Sequence, residues 1–444
     1  MNSELSPLDR IQLRKAKIAV VGLGHVGLPT ALIFARAGFD VVGVDVDSRK
    51  LDALKRGRCY LWEPGLQDIL VSSSTSGAFQ VTSRASESVR SSDFVSICVP
   101  TPVKNGRPDL RCFKSALNEV KAGLHRGMVV LIQSTLPPST TSKFVVPELQ
   151  AKGYRVDEDV FLAYCPERLA PTHALEEFVR NTRIVGGAGP RSGRIAAELF
   201  KTVCNDVRIS DATTAELAKV AENTFRDLNV AYANLLAVVA EQVGVDVVEV
   251  IELANTHPRV RIHAPGLGVG GPCIPKDPHM LLHGIRRDVA KLVRFARDLN
   301  DHASKRAVGI LAKTLAQRRT PIRAAKVAVL GVSYKPDTDD VTNSPAEFVI
   351  ESLLEMKAAV VVYDPYTAET YGAKRATSVE EALRDSDCVI IVTGHTEFKS
   401  LDVSLVRECA KPDCVILDGP RVLDPIRAEA VGLTYLGTGY AKAR

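Results

Sequence analysis

The run Lys17-Ile-Ala-Val-Val-Gly22, continued as Leu-Gly24-His-Val-Gly27, limits the fold more than any other stretch of the chain. A short apolar, β-branched run closed by glycine reads as a buried strand. The stretch from Pro29 to Ala37 reads as a helix ended by Gly38. In such a strand–turn–helix unit Gly22 permits the tight turn, Gly24 lets a pyrophosphate reach the backbone, and Gly27 lets helix and strand pack closely. The helix start then offers free N–H groups and partial positive charge to phosphate. Asp45 follows Gly27 by 18 residues, at the end of the next strand, Asp40-Val-Val-Gly-Val-Asp45. A carboxylate there bonds a ribose 2′-hydroxyl, which favours NAD over NADP, while Arg49 offers a cation that a 2′-phosphate would use.

Further strands are expected at Phe94–Val99, Val129–Gln133 and Val160–Ala163, alternating with helical segments, which implies a parallel, doubly wound sheet. From Thr213 the pattern changes to a long helix, Ala215–Val243, continued by Val247–Ala254. More helix is expected from Val289 to about Gln317, and Arg318-Arg-Thr-Pro321 reads as a linker. A long helix between two α/β halves is a natural spine and dimer surface. Lys326-Val-Ala-Val-Leu-Gly331 then begins a second β–glycine–turn unit, extended by Val360–Asp364, Cys388–Thr393 and Val415–Asp418. The fold class read from these patterns is α/β, with two Rossmann-like domains joined by a helical centre.

At 444 residues two or three domains are expected. A net charge of +5, from 57 basic and 52 acidic residues, is too mild for nucleic acid and suits an anionic small molecule. No apolar run approaches the roughly 18 residues of a membrane-spanning helix. Met1–Arg10 lacks the basic and apolar regions of a signal peptide. The nine cysteines show no C-x-x-C pairing, so neither a disulfide framework nor a metal site is expected. The chain reads as a cytoplasmic enzyme with reduced thiols.

Cys273 carries the chemistry. It stands in Gly266-Leu-Gly-Val-Gly-Gly-Pro-Cys-Ile-Pro-Lys-Asp277, where glycines let a substrate approach the backbone. A buried structural thiol is the plain alternative. Against it stand the scarcity of packing side chains in such a loop and the neighbours Lys276 and Asp277. Lys276 favours a thiolate and Asp277 opposes it. A redox cofactor beside a nucleophilic thiol points to an oxidation passing through a covalent thioester.

The motifs Gly22–Gly27, Trp62-Glu-Pro-Gly-Leu66, Val99-Pro-Thr-Pro102, Gln133-Ser-Thr135, Tyr164-Cys-Pro-Glu-Arg168, Lys219-Val-Ala-Glu-Asn223, Gly270–Asp277 and Tyr334-Lys-Pro-Asp-Thr-Asp-Asp340 follow one another in order. Together they resemble the nucleotide-sugar 6-dehydrogenase family over nearly the whole chain. The resemblance implies a sugar C6 alcohol oxidised twice to a uronic acid, with NAD as acceptor and a UDP-sugar as substrate. It implies an NAD-binding domain over 1–212, a helical domain with the cysteine loop over 213–318, and a UDP-sugar-binding domain over 319–444, in a homodimer or larger homo-oligomer.

Carried onto this chain, the resemblance makes Cys273 the nucleophile on the C6 aldehyde. Lys219 and Asn223, four apart on one helix face, stabilise the C6 oxygen. Asp277 serves as general base with a bound water, Glu167 as acid/base for thioester hydrolysis, and Thr135 positions water or cofactor. The cofactor site takes in Gly22, Gly24, His25, Val26, Gly27, Asp45, Arg49, Thr101, Thr135 and Lys276. The substrate site adds Arg168, Leu169, His257, Arg259, Arg261, Gly270, Lys335 and Arg421. The arginines at 259 and 261 lie in a loop that, by resemblance, reaches a neighbouring subunit's site. Within the family the stretches Glu222–Asn234 and Ala254–Val260 look most like the UDP-N-acetyl-D-mannosamine branch, with UDP-N-acetylglucosamine and UDP-glucose as alternatives. The chain departs from that branch at Pro272, Pro275-Lys276 and Leu235. Thr342 stands where the family usually has an arginine, which puts one contact to NAD or to the domain interface in doubt.

Overall fold

The structure, a computed structural model, describes residues 5–170 and 172–441. Met1–Glu4, the start of the segment read for a signal peptide, lie outside the described residues. The chain forms two compact units, one of residues 1–221 with 279–283 and the other of 222–278 with 284–444. No described helix is long and apolar enough to cross a membrane.

The first unit is built on an eight-stranded sheet: β1 (Lys17–Val21), β2 (Asp40–Val44), β3 (Phe79–Thr82), β4 (Phe94–Ile97), β5 (Val129–Ile132), β6 (Phe161–Tyr164), β7 (Arg183–Gly187) and β8 (Val207–Asp211). Their order is β8-β7-β6-β5-β4-β1-β2-β3. Central strands are buried on both faces, so they are apolar at every position rather than at alternate ones. Ile18, Val20, Phe94, Val129, Leu131 and Phe161 pack on one face with Phe34, Phe178 and Phe200. Ala19, Val21, Val95, Ile97, Val130, Ile132, Leu162 and Tyr164 fill the other. The chain leaves β1 toward β2 and β3 on one side and returns to β4, β5 and β6 on the other. The switch point therefore falls between β1 and β4, where α/β sheets open their crevice.

The sheet departs from the expected all-parallel pattern at one place. β7 runs antiparallel to β6, pairing Ala163 with Gly187 and Tyr164 with Gly186. The connection between them contains only a seven-residue helix, Ala174–Arg180, too short to carry the chain back along the strands. The chain re-enters from the end it left, and Glu167 and Arg168 directly follow β6 at its carboxyl end.

The second unit holds a six-stranded, wholly parallel sheet: β9 (Lys326–Leu330), β10 (Ala359–Tyr363), β11 (Lys374–Arg375), β12 (Cys388–Ile391), β13 (Val415–Asp418) and β14 (Thr434–Gly437), in the order β11-β10-β9-β12-β13-β14. Val327 and Val329 face one core and Ala328 and Leu330 the other. Helix α1 (Gly27–Arg36) follows β1, and the long helix α2 (Ala212–Val243) runs through 32 residues. It is followed by α3 (Val247–Asn255) and, past the glycine loop, by α4 (Lys291–Gln317).

Candidate active site

In the nucleotide loop each glycine has a separate reason. Gly22 has φ +92°, and a Cβ there would lie 2.6 Å from the Cys98 carbonyl oxygen. At Gly27 a Cβ would meet the Gly22 carbonyl oxygen at 1.8 Å, so only glycine lets α1 start against β1. At Gly24, by contrast, nothing lies within 4 Å: the space is open, as a pyrophosphate contacting the backbone requires. Val26 caps α1 without a side-chain hydrogen bond, the Leu28 N–H donates to the Gly24 carbonyl at 3.1 Å, and His25 is exposed at the turn.

Asp45 accepts from the Leu23 N–H at 2.8 Å and the Asp47 N–H at 2.9 Å, with the Lys50 ammonium at 3.4 Å. It thus shapes the loop while standing at the end of β2. The Arg49 guanidinium lies on Asp47, at 3.0 and 3.1 Å, instead of beside Asp45. Asp47 neutralises Arg49, which weakens the case for a 2′-phosphate. Thr101 Oγ1 donates to the Thr135 carbonyl at 2.7 Å, and Ser134 joins the same two loops through Val99. The ends of β4 and β5 are therefore fastened together beside the glycine turn. These residues fit a dinucleotide.

Also in the first unit, Lys219 and Glu167 form a buried pair, Nζ to Oε1 at 3.4 Å. Burial pushes the Glu167 carboxyl up. The Lys219 charge, the Leu169 N–H at 2.9 Å and the Arg183 charge outweigh it, so the net shift is downward and Glu167 is ionised. Leu169 contributes a backbone N–H to this site. Arg168 turns toward the Thr182 carbonyl, 3.1 Å away.

In the second unit Cys273 is half-buried and its carbonyl accepts from the N–H groups of Lys276 and Asp277, at 3.1 and 2.9 Å. This turn swings Asp277 fully inside, where Asn223 Nδ2 donates to its Oδ2 at 2.6 Å and the Lys276 ammonium stands 3.8 Å from Oδ1. The ring of Tyr334 covers the loop: a Cβ at Gly270 or Gly271 would come within 2.7 Å of Tyr334. The Tyr334 hydroxyl is pushed up to about 12 by burial and by the charges of Asp340 and Cys273. Thr342 meets the loop with its backbone, its carbonyl accepting the Gly271 N–H at 2.8 Å, so this contact is independent of the missing arginine.

Among the expected cations, Arg259 and His257 are exposed in the loop after α3, where the Arg259 N–H donates to His257 Nδ1 at 3.3 Å. Arg261 donates to the carbonyls of Asn255 and Val260. Lys335 has no ion pair among the described residues. Arg421 grips Asp246 at 3.1 and 2.7 Å, and so secures the residue that caps α3. Sequence reasoning passed over Tyr334 as a loop cover. It also passed over the asparagines 229, 234 and 255, although the last two and Asn229 stand in stretches singled out as motifs. The partners of Asn229 and Asn234 lie 32 or more residues away, so no local pattern gives their contacts, whereas Asn255 bonds Ile262, seven residues on.

Comparison with known proteins assigns the parts. The NAD binding, central and UDP binding domains of the UDP-glucose/GDP-mannose dehydrogenase family match residues 16–204, 213–302 and 328–425. The UDP-N-acetyl-D-mannosamine dehydrogenase of Pyrococcus horikoshii is 39% identical over 95% of this chain and 99% of its own, and its solved structure superposes with a TM-score of 0.90. The NDP-N-acetyl-D-galactosaminuronic acid dehydrogenase of Methanosarcina mazei is 30% identical, with a TM-score of 0.85, over 99% of this chain and 98% of that one. A UDP-N-acetyl-D-mannosamine dehydrogenase of Methanococcus aeolicus is 38% identical over 88% of this chain and 87% of its own. With three consecutive family domains and a glycine loop shaped for a dinucleotide, the chain belongs to the UDP-glucose/GDP-mannose dehydrogenase family, the NAD-dependent dehydrogenases of nucleotide sugars.

Proposed function

We propose that this protein oxidises the C6 alcohol of UDP-N-acetyl-D-mannosamine to the carboxylate in two NAD-dependent steps, with Cys273 as the acyl carrier. One observation carries this reading. The half-buried thiol lies in a glycine loop covered by Tyr334 and ends on a buried Asp277–Asn223 contact, an arrangement that serves a covalent intermediate and serves no binding module. The similarity to the Pyrococcus and Methanococcus enzymes supports the choice of sugar.

Gly22–Gly27, Asp45, Thr101 and Thr135 would hold NAD, which would supply the hydride acceptor. Lys219 and Asn223 stand one turn apart on α2 and stabilise the C6 oxygen as it gains charge. Asp277, hydrogen-bonded to Asn223, takes the alcohol proton through a water. Once the aldehyde is formed, the Cys273 sulfur adds to C6 and gives a thiohemiacetal. Asp277, having released the first proton to solvent, takes the thiohemiacetal's hydroxyl proton as the second hydride leaves, and a thioester results. Water then adds to C6 with one proton passing to Glu167, the C6–S bond breaks, Glu167 returns that proton to the sulfur so that the thiol is restored, and the acid formed ionises to the carboxylate. Lys335 and the exposed Arg259 and Arg261 meet the diphosphate charge.

The three family segments act as 1–212 for NAD, 213–318 for the cysteine loop and 319–444 for UDP. A reactive thiol among nine free cysteines suits the reducing cytoplasm. Phe225, Tyr232, Leu235, Val239 and Val243 recur at three-, four- and seven-residue spacing along α2 and are all exposed, as a homodimer seam would be. NADH formation against a panel of UDP-sugars tests the substrate. The expected order puts UDP-N-acetyl-D-mannosamine first in kcat/KM. A preference for UDP-glucose or UDP-N-acetylglucosamine sinks the assignment and leaves the chemistry standing.

A further inference from the structure

Glycines at 266, 268, 270 and 271 leave the Cys273 loop little side-chain packing of its own. Each loop residue held in one conformation loses backbone entropy. The place of the sulfur is therefore set by whatever holds the loop's ends and turns. The polar stripe of α2 does this. Asn223, Asp227 and Asn234 are four and eleven steps apart, so at about 100° per residue they lie within about 40° of one another around the helix. Asn223 holds the far end of the loop at Asp277, at 2.6 Å. Asn234 Oδ1 accepts the Gly266 N–H at the near end, at 2.9 Å.

Asn234 has no freedom to turn. Its Nδ2 donates to Asn300 Oδ1 at 3.0 Å, and Asn300 Nδ2 donates to Asp227 Oδ1 and to the Asp227 carbonyl at 2.9 and 3.0 Å. Asp227 is in turn paired with Arg297. All four side chains are buried. In this relay every amide orientation is dictated by the next, ending in a carboxylate that only accepts. Two further contacts fix the same corner. Ser304 Oγ donates to the Leu267 carbonyl, and Gly268, at φ +137°, lies so close to α4 that a Cβ there would come within 3.2 Å of the Asn300 carbonyl oxygen.

We infer that Asn234, backed by Asn300 and Ser304, is a positioning residue that sets where the Cys273 sulfur stands, and so commits the aldehyde to the second oxidation. The inference rests on Cys273 being the acyl carrier. Misplacing a reacting atom by about 1 Å costs on the order of 100-fold in rate. The sulfur is needed only after the first hydride has left, so a loosened loop impairs the second half of the reaction while the first continues.

The test compares purified full-length Asn234→Ala, Ser304→Ala and Cys273→Ser with the unaltered enzyme. For Asn234→Ala and Ser304→Ala the expected results are three. The ratio of NADH to sugar falls from two toward one, hydroxylamine traps free aldehyde, and iodoacetamide alkylates Cys273 at a rate altered several-fold, with KM for NAD unchanged. If Asn234→Ala does not fold, Ser304→Ala decides alone. The inference is overturned if the folded variants keep a ratio of two, trap no aldehyde and alkylate as the parent does. Cys273→Ser separates the two readings: if it completes both oxidations the acyl-carrier assignment fails, and if it stops while the other variants behave as the parent, only the positioning role fails.

Discussion

Glu167 sits where burial alone would neutralise a carboxyl group, yet it is held ionised by Lys219, the Leu169 N–H and Arg183. Its pKa is lowered on folding, so the stabilisation is complete above the ordinary glutamate value of about 4.3 and is lost as pH falls through the lowered value. Glu167→Gln removes the carboxylate of this buried pair and is expected to cost about 1.5–3 kcal/mol at pH 7 by denaturant titration. The difference from the parent shrinks below about pH 4. An undiminished difference at pH 3 would mean that the pair is not the source. At this scale Cys273 and Asp277 were legible as candidates from the glycine loop they stand in, whereas Glu167 became a candidate only through the family resemblance. Asn234 stood in a motif with nothing to mark its role, since its partners at 266 and 300 lie 32 and 66 residues away.

The strand–turn–helix element explains itself by two glycines that behave oppositely. Gly24→Ala meets no atom within 4 Å, so it is expected to fold with an unchanged Tm and to raise KM for NAD roughly tenfold, because the added methyl takes the pyrophosphate's space. Gly27→Ala would put carbon 1.8 Å from the Gly22 oxygen, and a loss of several degrees in Tm is expected with it. Equal Tm for the two variants would refute this division of roles.

The second sheet repeats the device. Asp364, at the end of β10, accepts from the Val332 and Ser333 N–H groups at 2.6 and 3.1 Å, as Asp45 does from Leu23, and it also accepts from His395 Nε2 at 3.0 Å. Burial raises the Asp364 pKa, but these bonds bring it to about 2. Asp364→Asn is expected to cost on the order of 2–3 kcal/mol at neutral pH, fading as pH falls from about 4 to 2. The antiparallel β7 and the strands β3, β8, β11 and β14 escaped the sequence reading. Val207–Asp211 is largely exposed and shows no apolar run, and a strand's direction depends on the length of a connection more than on its own residues.

For the whole molecule, two Rossmann-like sheets were legible because each opens on the same local unit, an apolar strand closed by glycine. The place where the compact units part, within α2 after Ala221, was not legible, since helical periodicity runs through it unbroken. The dimer proposed on the exposed apolar residues of α2 belongs to this scale as well. Tyr232→Glu combined with Val239→Glu places two charges at half-exposed apolar positions of that helix, and light scattering is expected to give a dimer for the parent and a monomer for the variant. A dimer in both would move the interface elsewhere.

The most direct test of the account is the electron balance of a single enzyme preparation on UDP-N-acetyl-D-mannosamine, with NADH read by absorbance and sugar by mass. Two NADH per uronic acid, together with a sugar adduct on the peptide containing Cys273 when the reaction is quenched in acid, is the predicted result. One NADH per sugar with an aldehyde product, or full oxidation by Cys273→Ser, would contradict it.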